Sequence, residues 1–152
     1  MHIDFIGQYP YTVDSKNRIN IPSRFRKKLS EAGISTMVIT RGIDDPCILV
    51  YPEPFWQDMT RKLSEKLSSI KQTHRLFLRQ ITRFAAECPL DSQGRIILTP
   101  ALMDYAGITR DIMIVGTLNK IELWDPETLE SFEQSHSLSK EDFTTLANDI
   151  LL

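Results

Sequence analysis

One pentapeptide pattern occurs twice in this chain: Asp14-Ser15-Lys16-Asn17-Arg18 and, 77 residues later, Asp91-Ser92-Gln93-Gly94-Arg95. Each copy opens a short apolar run, Arg18-Ile19-Asn20-Ile21-Pro22 in the first and Arg95-Ile96-Ile97-Leu98-Thr99-Pro100 in the second. A charged turn and strand repeated at this interval constrain the chain to two related modules. Asp and Asn side chains bond nearby backbone, and Asn and Gly tolerate positive φ, so each pattern predicts a turn at a surface tip. In the strand that follows, Ile19 and Ile21 share one face and Arg18 and Asn20 the other.

The flanking segments repeat as well. His2 to Val13 reads as extended, bent at Gly7. Ser23 to Glu31 is a short helix aiming Phe25, Leu29 and Ala32 at a core and closed by Gly33. Met37–Thr40 and Cys47–Tyr51 form a hairpin across Gly42–Pro46. Pro52-Glu53-Pro54 starts a long helix with Phe55, Met59, Leu63, Leu67 and Ile70 on one stripe. A second helical run buries Leu76, Phe77, Ile81 and Phe84. The scheme then recurs: Thr99 caps a helix begun by Pro100 and closed by Gly107. Ile112–Val115 and Ile121–Trp124 flank a turn at Gly116–Asn119, and Asp125-Pro126 opens a helix carrying Leu129 and Phe132. Ser139 and Asp142 resemble a capping box for a last helix with Phe143, Leu146 and Ile150. Here the offset is 74, which puts three extra residues of the first copy between its short helix and its hairpin. The modules are 1–84 and 85–152. A module this small has little core of its own, so the two copies are expected to cover each other about a pseudo-twofold axis.

The formal net charge of -2 says nothing for nucleic acid, and the charge is better read in blocks. Residues 1–35 carry six basic and three acidic side chains, residues 53–84 seven and three, and residues 120–152 two and eight. This asymmetry focuses a positive field on one side, or else reflects a solvated helix face and an acidic tail. Arg18 is placed either to contact DNA phosphate or a guanine edge, or to pair with Asp14 and fix the turn; the two roles are compatible. Lys16 stands at the tip. Arg24, Arg26, Lys27 and Lys28 crowd the short helix, as backbone clamps or as a solvated face. Arg95 has the same local pattern in poorer surroundings, with Gln93 in place of Lys16 and Asp104 on the following helix. Contact with DNA is therefore expected to concentrate in the first copy.

Other chemistries find little support. His2, His74 and His136 are scattered, and Cys47 and Cys88 have no metal-type spacing, so neither a metal site, a cofactor nor a disulfide is expected. There is no Gly-rich phosphate loop and no nucleophilic constellation. No basic region followed by an apolar run marks a secretory signal, and no stretch approaches transmembrane length, so a cytoplasmic protein is expected. The alternative to a DNA-binding protein is a structural or protein-interaction module assembling through its apolar helix faces.

The paired Asp-x-x-x-Arg patterns resemble the MraZ family of bacterial transcriptional regulators. So do Pro46-Cys47-Ile48-Leu49-Val50-Tyr51-Pro52 and the run from Val115 to Asp125, and the likeness spans essentially the whole chain. One such pattern is weak; two in matching context are specific. The resemblance implies a mixed α/β fold of duplicated AbrB-like swapped-hairpin β-barrel modules with flanking helices. It implies a non-enzymatic, nucleoid-associated protein, usually a repressor, that assembles into a homo-oligomeric ring. The implied partner is double-stranded promoter DNA with short direct repeats upstream of the division and cell-wall gene cluster, with no small-molecule substrate and no membrane. The family's DNA-contacting arginine falls on Arg18. Asn17 stands where the family commonly has glycine, and the second copy keeps Gly94.

Overall fold

A computed structural model describes residues 2–151. The first copy runs β1 (Phe5–Thr12), β2 (Arg18–Asn20), α1 (Ser23–Glu31), β3 (Thr36–Arg41), β4 (Ile48–Pro52), α2 (Glu53–Lys66) and α3 (Gln72–Thr82). The second runs β5 (Ala86–Pro89), β6 (Arg95–Ile97), α4 (Pro100–Ala106), β7 (Asp111–Leu118), β8 (Ile121–Trp124), α5 (Pro126–Ser135) and α6 (Lys140–Leu151). Among the described residues, six strands form one sheet in the order β1-β7-β8-β4-β3-β5, and β2 and β6 form a separate ribbon. The fold is mixed α/β.

The sheet order is unchanged when the copies are exchanged, so the expected pseudo-twofold relation is present. The copies interlock rather than stand side by side: β1 pairs with β7, β5 with β3, β4 with β8 and β2 with β6, all antiparallel. The axis passes the Ile19–Ile96 pair of the ribbon. Both side chains are buried, among the largest of the core. Burying an Ile side chain stabilises by roughly 1.5–3 kcal/mol, and this pair joins the copies at one point.

Two apolar clusters lie on opposite faces of the sheet. The larger gathers Phe5, Ile19, Ile21, Phe25, Leu29, Met37, Ile39, Ile96, Leu98, Leu102, Ile112 and Ile114 beneath the ribbon, α1 and α4. The smaller packs Cys47, Leu49, Tyr51 and Trp124 beneath Phe55, Trp56 and Met59 of α2 and Leu129 and Phe132 of α5. The near-continuous burial of β3 and β4 follows, since both of their faces are covered.

Caps carry the helix ends. Gly33 and Gly107 both have positive φ, at 71° and 66°. Ile34 N–H donates to the Leu29 carbonyl and Ile108 N–H to that of Met103, closing each helix in the same way with a buried isoleucine just beyond it. Thr99, Asp125 and Ser139 accept from Leu102, Thr128 and Asp142 amides at 3.4, 3.0 and 3.0 Å, as their sequence positions predict.

The details depart from the sequence reading in five places. The three extra residues lie inside α1: from N-cap to closing glycine it runs Pro22 to Gly33, against Thr99 to Gly107. The lengthened helix carries the basic run Arg26-Lys27-Lys28. The single offset of 74 resolves into two, because Ile39↔Val50 is matched by Ile114↔Leu123, 75 residues on for the first strand and 73 for the second. The Gly116–Asn119 turn is shorter than expected, with β7 continuing through Gly116 to Leu118. Finally, α2 stops at Lys66 and Leu67 is extended, so Ile70 leaves the stripe and is exposed. Of the expected buried side of α3, Ile81 is buried and Phe84 partly so, while Leu76 and Phe77 remain exposed over a little less than half of their surface.

Gly116 is in the strand because backbone crosses close to it. It faces Gly7 across the β1–β7 ladder, and a Cβ there would sit 2.5 Å from the Phe5 carbonyl carbon. Gly116→Ala is expected to destabilise by about 1–3 kcal/mol, the range for overpacking, read as a lower urea midpoint at unchanged m. An unshifted midpoint would show that the strands part at no cost.

Candidate nucleic-acid interface

Each repeated turn is built by its aspartate. Asp14 Oδ1 accepts from the backbone amides of Lys16 and Arg18, at 2.9 and 2.8 Å, and Oδ2 accepts from Arg18 Nε at 2.7 Å. Asp91 does the same with Gln93, Arg95 and Arg95 Nε, at 2.9, 2.9 and 2.7 Å. Asn17 and Gly94 occupy the positive-φ position, at 58° and 74°, which explains why these two types alternate there. The backbone amide bonds lead the causes that hold both carboxyls below the ordinary carboxylate range, and the guanidinium adds to them.

The ion pairs use Nε alone. The outer edge of each guanidinium, with its two terminal nitrogens, remains the side from which a second partner approaches. Both arginines are about a quarter exposed, at 27% and 22% of the side chain.

The ribbon joins the two turns. Arg18 lies opposite Ile97, and Asn20 opposite Arg95. Residues that alternate on a strand share a face, so Arg18, Asn20, Arg95 and Ile97 stand together on the side away from buried Ile19 and Ile96. Arg18 and Arg95 are diagonal neighbours, roughly 7–8 Å apart by strand geometry. The turns sit at opposite ends and grip each other's strands: Ile21 N–H donates to the Gly94 carbonyl at 3.0 Å and Leu98 N–H to that of Asn17 at 2.8 Å.

The basic residues divide between these ends. Lys16 is exposed at the first tip. Arg24 and Lys27 are exposed on α1. Arg26 instead crosses to the second turn, where its Nη1 donates to the Gln93 carbonyl at 3.3 Å. Its Nε is buried without a partner, and a Cβ on Gly94 would fall 2.1 Å from its Cδ. Lys28 turns the other way and donates to the Asp4 carbonyl. The Asp91 turn therefore has a basic neighbour that its own copy lacks, because the copies pair across the axis. Sequence reasoning left out Ile97, which is 60% exposed beside Arg18. The two-residue alternation from Arg95 was the signal that pointed it outward.

Nothing comparable surrounds the cysteines. Both are buried, and desolvation raises both thiols, Cys88 to about 11. Among the described residues no three His, Cys, Asp or Glu side chains group as metal ligands, and no helix is long and apolar enough to cross a membrane.

Two copies of one charged turn fused in a single ribbon define a duplicated-module protein, and known proteins match it on those terms. A family model described as "MraZ protein, putative antitoxin-like" matches residues 5–80 and again 81–150. The transcriptional regulator MraZ of Sodalis glossinidius (strain morsitans) is 42% identical over 124 residues, covering 82% of this chain and 81% of the relative. That of Shigella sonnei (strain Ss046) is 41% identical over the same length and coverage. The chain belongs to the MraZ family, a family of transcriptional regulators and not of enzymes.

The depressed aspartates set a pH dependence. The folded chain holds these carboxyls charged more firmly than the unfolded chain, whose value is about 4. Their stabilisation is thus full above that value and lost as pH falls through the lower native one. Urea midpoints between pH 6 and pH 2.5 are expected to fall less steeply for Asp14→Asn/Asp91→Asn than for wild type. Parallel curves would show that the turns do not hold the charge.

Proposed function

We propose that this protein is a DNA-binding regulator of transcription that presents the β2–β6 ribbon to a duplex. The observation that carries the reading is the union of Arg18 and Arg95 on one exposed face, each held by an aspartate with its outer nitrogens free for a second partner. Arg18 reads a guanine edge or a phosphate, and Lys16, Arg24 and Lys27 contact the backbone on either side. Arg26 and Lys28 also belong to this basic group, but their intrachain bonds give them a positioning share in it. Ile97 is suited to the methyl group of a thymine.

In this reading the crossed pairing of the copies is the single-chain form of an AbrB-like swapped-hairpin barrel. Modules 1–84 and 85–152 then fold as one cooperative unit, since each sheet pairing described above that spans them fails if they part. The target is promoter DNA with short direct repeats upstream of the division and cell-wall gene cluster, and the usual outcome is repression by blocking polymerase. A ring of copies sets several ribbons against successive repeats, so that weak contacts sum through effective concentration. Such a protein works in the cytoplasm, on the nucleoid. The exposed apolar side of α6 favours a second reading, a protein-interaction module, but it serves equally as the means by which the regulator assembles.

The reading is tested by titrating salt against binding to upstream promoter DNA, with an unrelated duplex as control. The slope of log K against log salt is expected to be steep and to shrink by about 0.9 for each phosphate contact removed. Arg18→Ala lowers affinity about tenfold or more, and Arg95→Ala by less, since Lys16 supports only the first. Salt-insensitive binding, or variants that bind like wild type, would refute it.

A further inference from the structure

We propose that α6 of one copy docks on the α2–α3 face of the next. This rests on the oligomeric reading above and names the surfaces through which the protein assembles.

In the repeat, α6 stands where α3 stands in the first copy. The first copy seats its helix: Ile81 is buried, and Thr40 Oγ1 donates to the Ile81 carbonyl at 2.9 Å. The chain then runs on into β5, which anchors it in the sheet. By contrast, α6 buries none of its described residues. Phe143, Leu146 and Ile150 follow the spacing i, i+3, i+7 and so form one apolar stripe, with Phe143 64% and Ile150 76% exposed. A helix this short is marginal in water unless its apolar face is covered.

Charge selects the cover. The equivalent seat in its own copy lies beside α5, which carries Glu127, Glu130 and Glu133. That helix repels one bearing Glu141, Asp142 and Asp149. The segment that forms α2 and α3 is opposite in sign. Residues 53–84 carry seven basic and three acidic side chains, against two basic and eight acidic in 120–152.

The α2–α3 face is also the second place where apolar side chains gather unprotected. Ile43, Ile70, Leu76 and Phe77 are exposed on or beside α3. An apolar cavity of about 70 Å³ opens between Ile43, Met59, Leu63, Phe77 and Ile81, room for the end of one apolar side chain. Asp142 and Asp149 lie along one flank of the α6 stripe, seven residues apart, where Lys71 at the N-cap of a neighbouring α3 and Arg79 within that helix can meet them. The contact joins two different surfaces, so each copy offers one helix and one seat. Repeating it closes a ring or extends a filament.

Light scattering of the full chain tests the proposal. The wild type is expected to run as an assembly of several copies. Asp142→Lys/Asp149→Lys reduces it to single chains, and so does Lys71→Glu/Arg79→Glu, each with an unchanged circular dichroism spectrum. Mixing the two reversed proteins restores the large species, because each α6 again meets an α3 of opposite sign. Leu146→Ser, an exposed and mild change, weakens assembly without altering charge. An assembly indifferent to all of these, a mixture that stays dispersed, or a monomeric wild type would overturn the proposal. The two readings fail separately: the interface fails when the assembly is indifferent to the charge reversals, and the DNA reading fails when an assembled wild type does not bind the promoter duplex or when Arg18→Ala binds it equally well.

Discussion

The antiparallel pairing of β2 with β6 is the constraint on which the rest of the molecule depends. It is only three residues long in each strand, yet it carries the pseudo-twofold axis through Ile19 and Ile96. Inward, those two side chains tie both copies to one core. Outward, the same strands hold Arg18, Asn20, Arg95 and Ile97 on one face. Period-two alternation therefore makes stability and surface chemistry two sides of one ribbon. A one-residue slip would send the isoleucines to solvent and the arginines into the core.

The aspartates make that surface rigid. Each accepts two backbone amides before it accepts its arginine, so the turn is formed by local chemistry and the guanidinium is aimed as a consequence. An arginine held this way gives up less side-chain freedom when it meets a partner, which is where preorganised contacts gain affinity. The cross-strand bonds to the Asn17 and Gly94 carbonyls then fix one turn relative to the other.

Much of this was legible in the residues. The two turns, the hairpins, the Thr99, Asp125 and Ser139 caps and the closing glycines all follow from local rules. What the sequence left ambiguous was nonlocal. Matching Gly42 with Gly116 implied one offset, but the two glycines do different work. Gly42 makes room for the Asp45 carbonyl in a turn, and Gly116 makes room for a neighbouring strand. Arg26 reads either as a clamp on the DNA backbone or as part of a solvated helix face, and only the crossing of the copies brings it to the Asp91 turn. The extra length of α1 is likewise not legible, because a helix of either length satisfies the same apolar spacing. The apolar spacing of α2 continues through Leu67 and Ile70, and periodicity alone does not mark where the chain turns. There, the Ser68 amide donates to His74 Nδ1 and Arg75 bonds the Ser69 and Ile70 carbonyls.

The central claim is that both turns act as one DNA-facing surface. Hydrogen exchange of the full chain, with and without promoter duplex, tests it most directly. The account predicts that peptides spanning 14–20 and 91–97 gain protection together, at the same DNA concentration. Protection confined to the outer helices, or to neither turn, would contradict it.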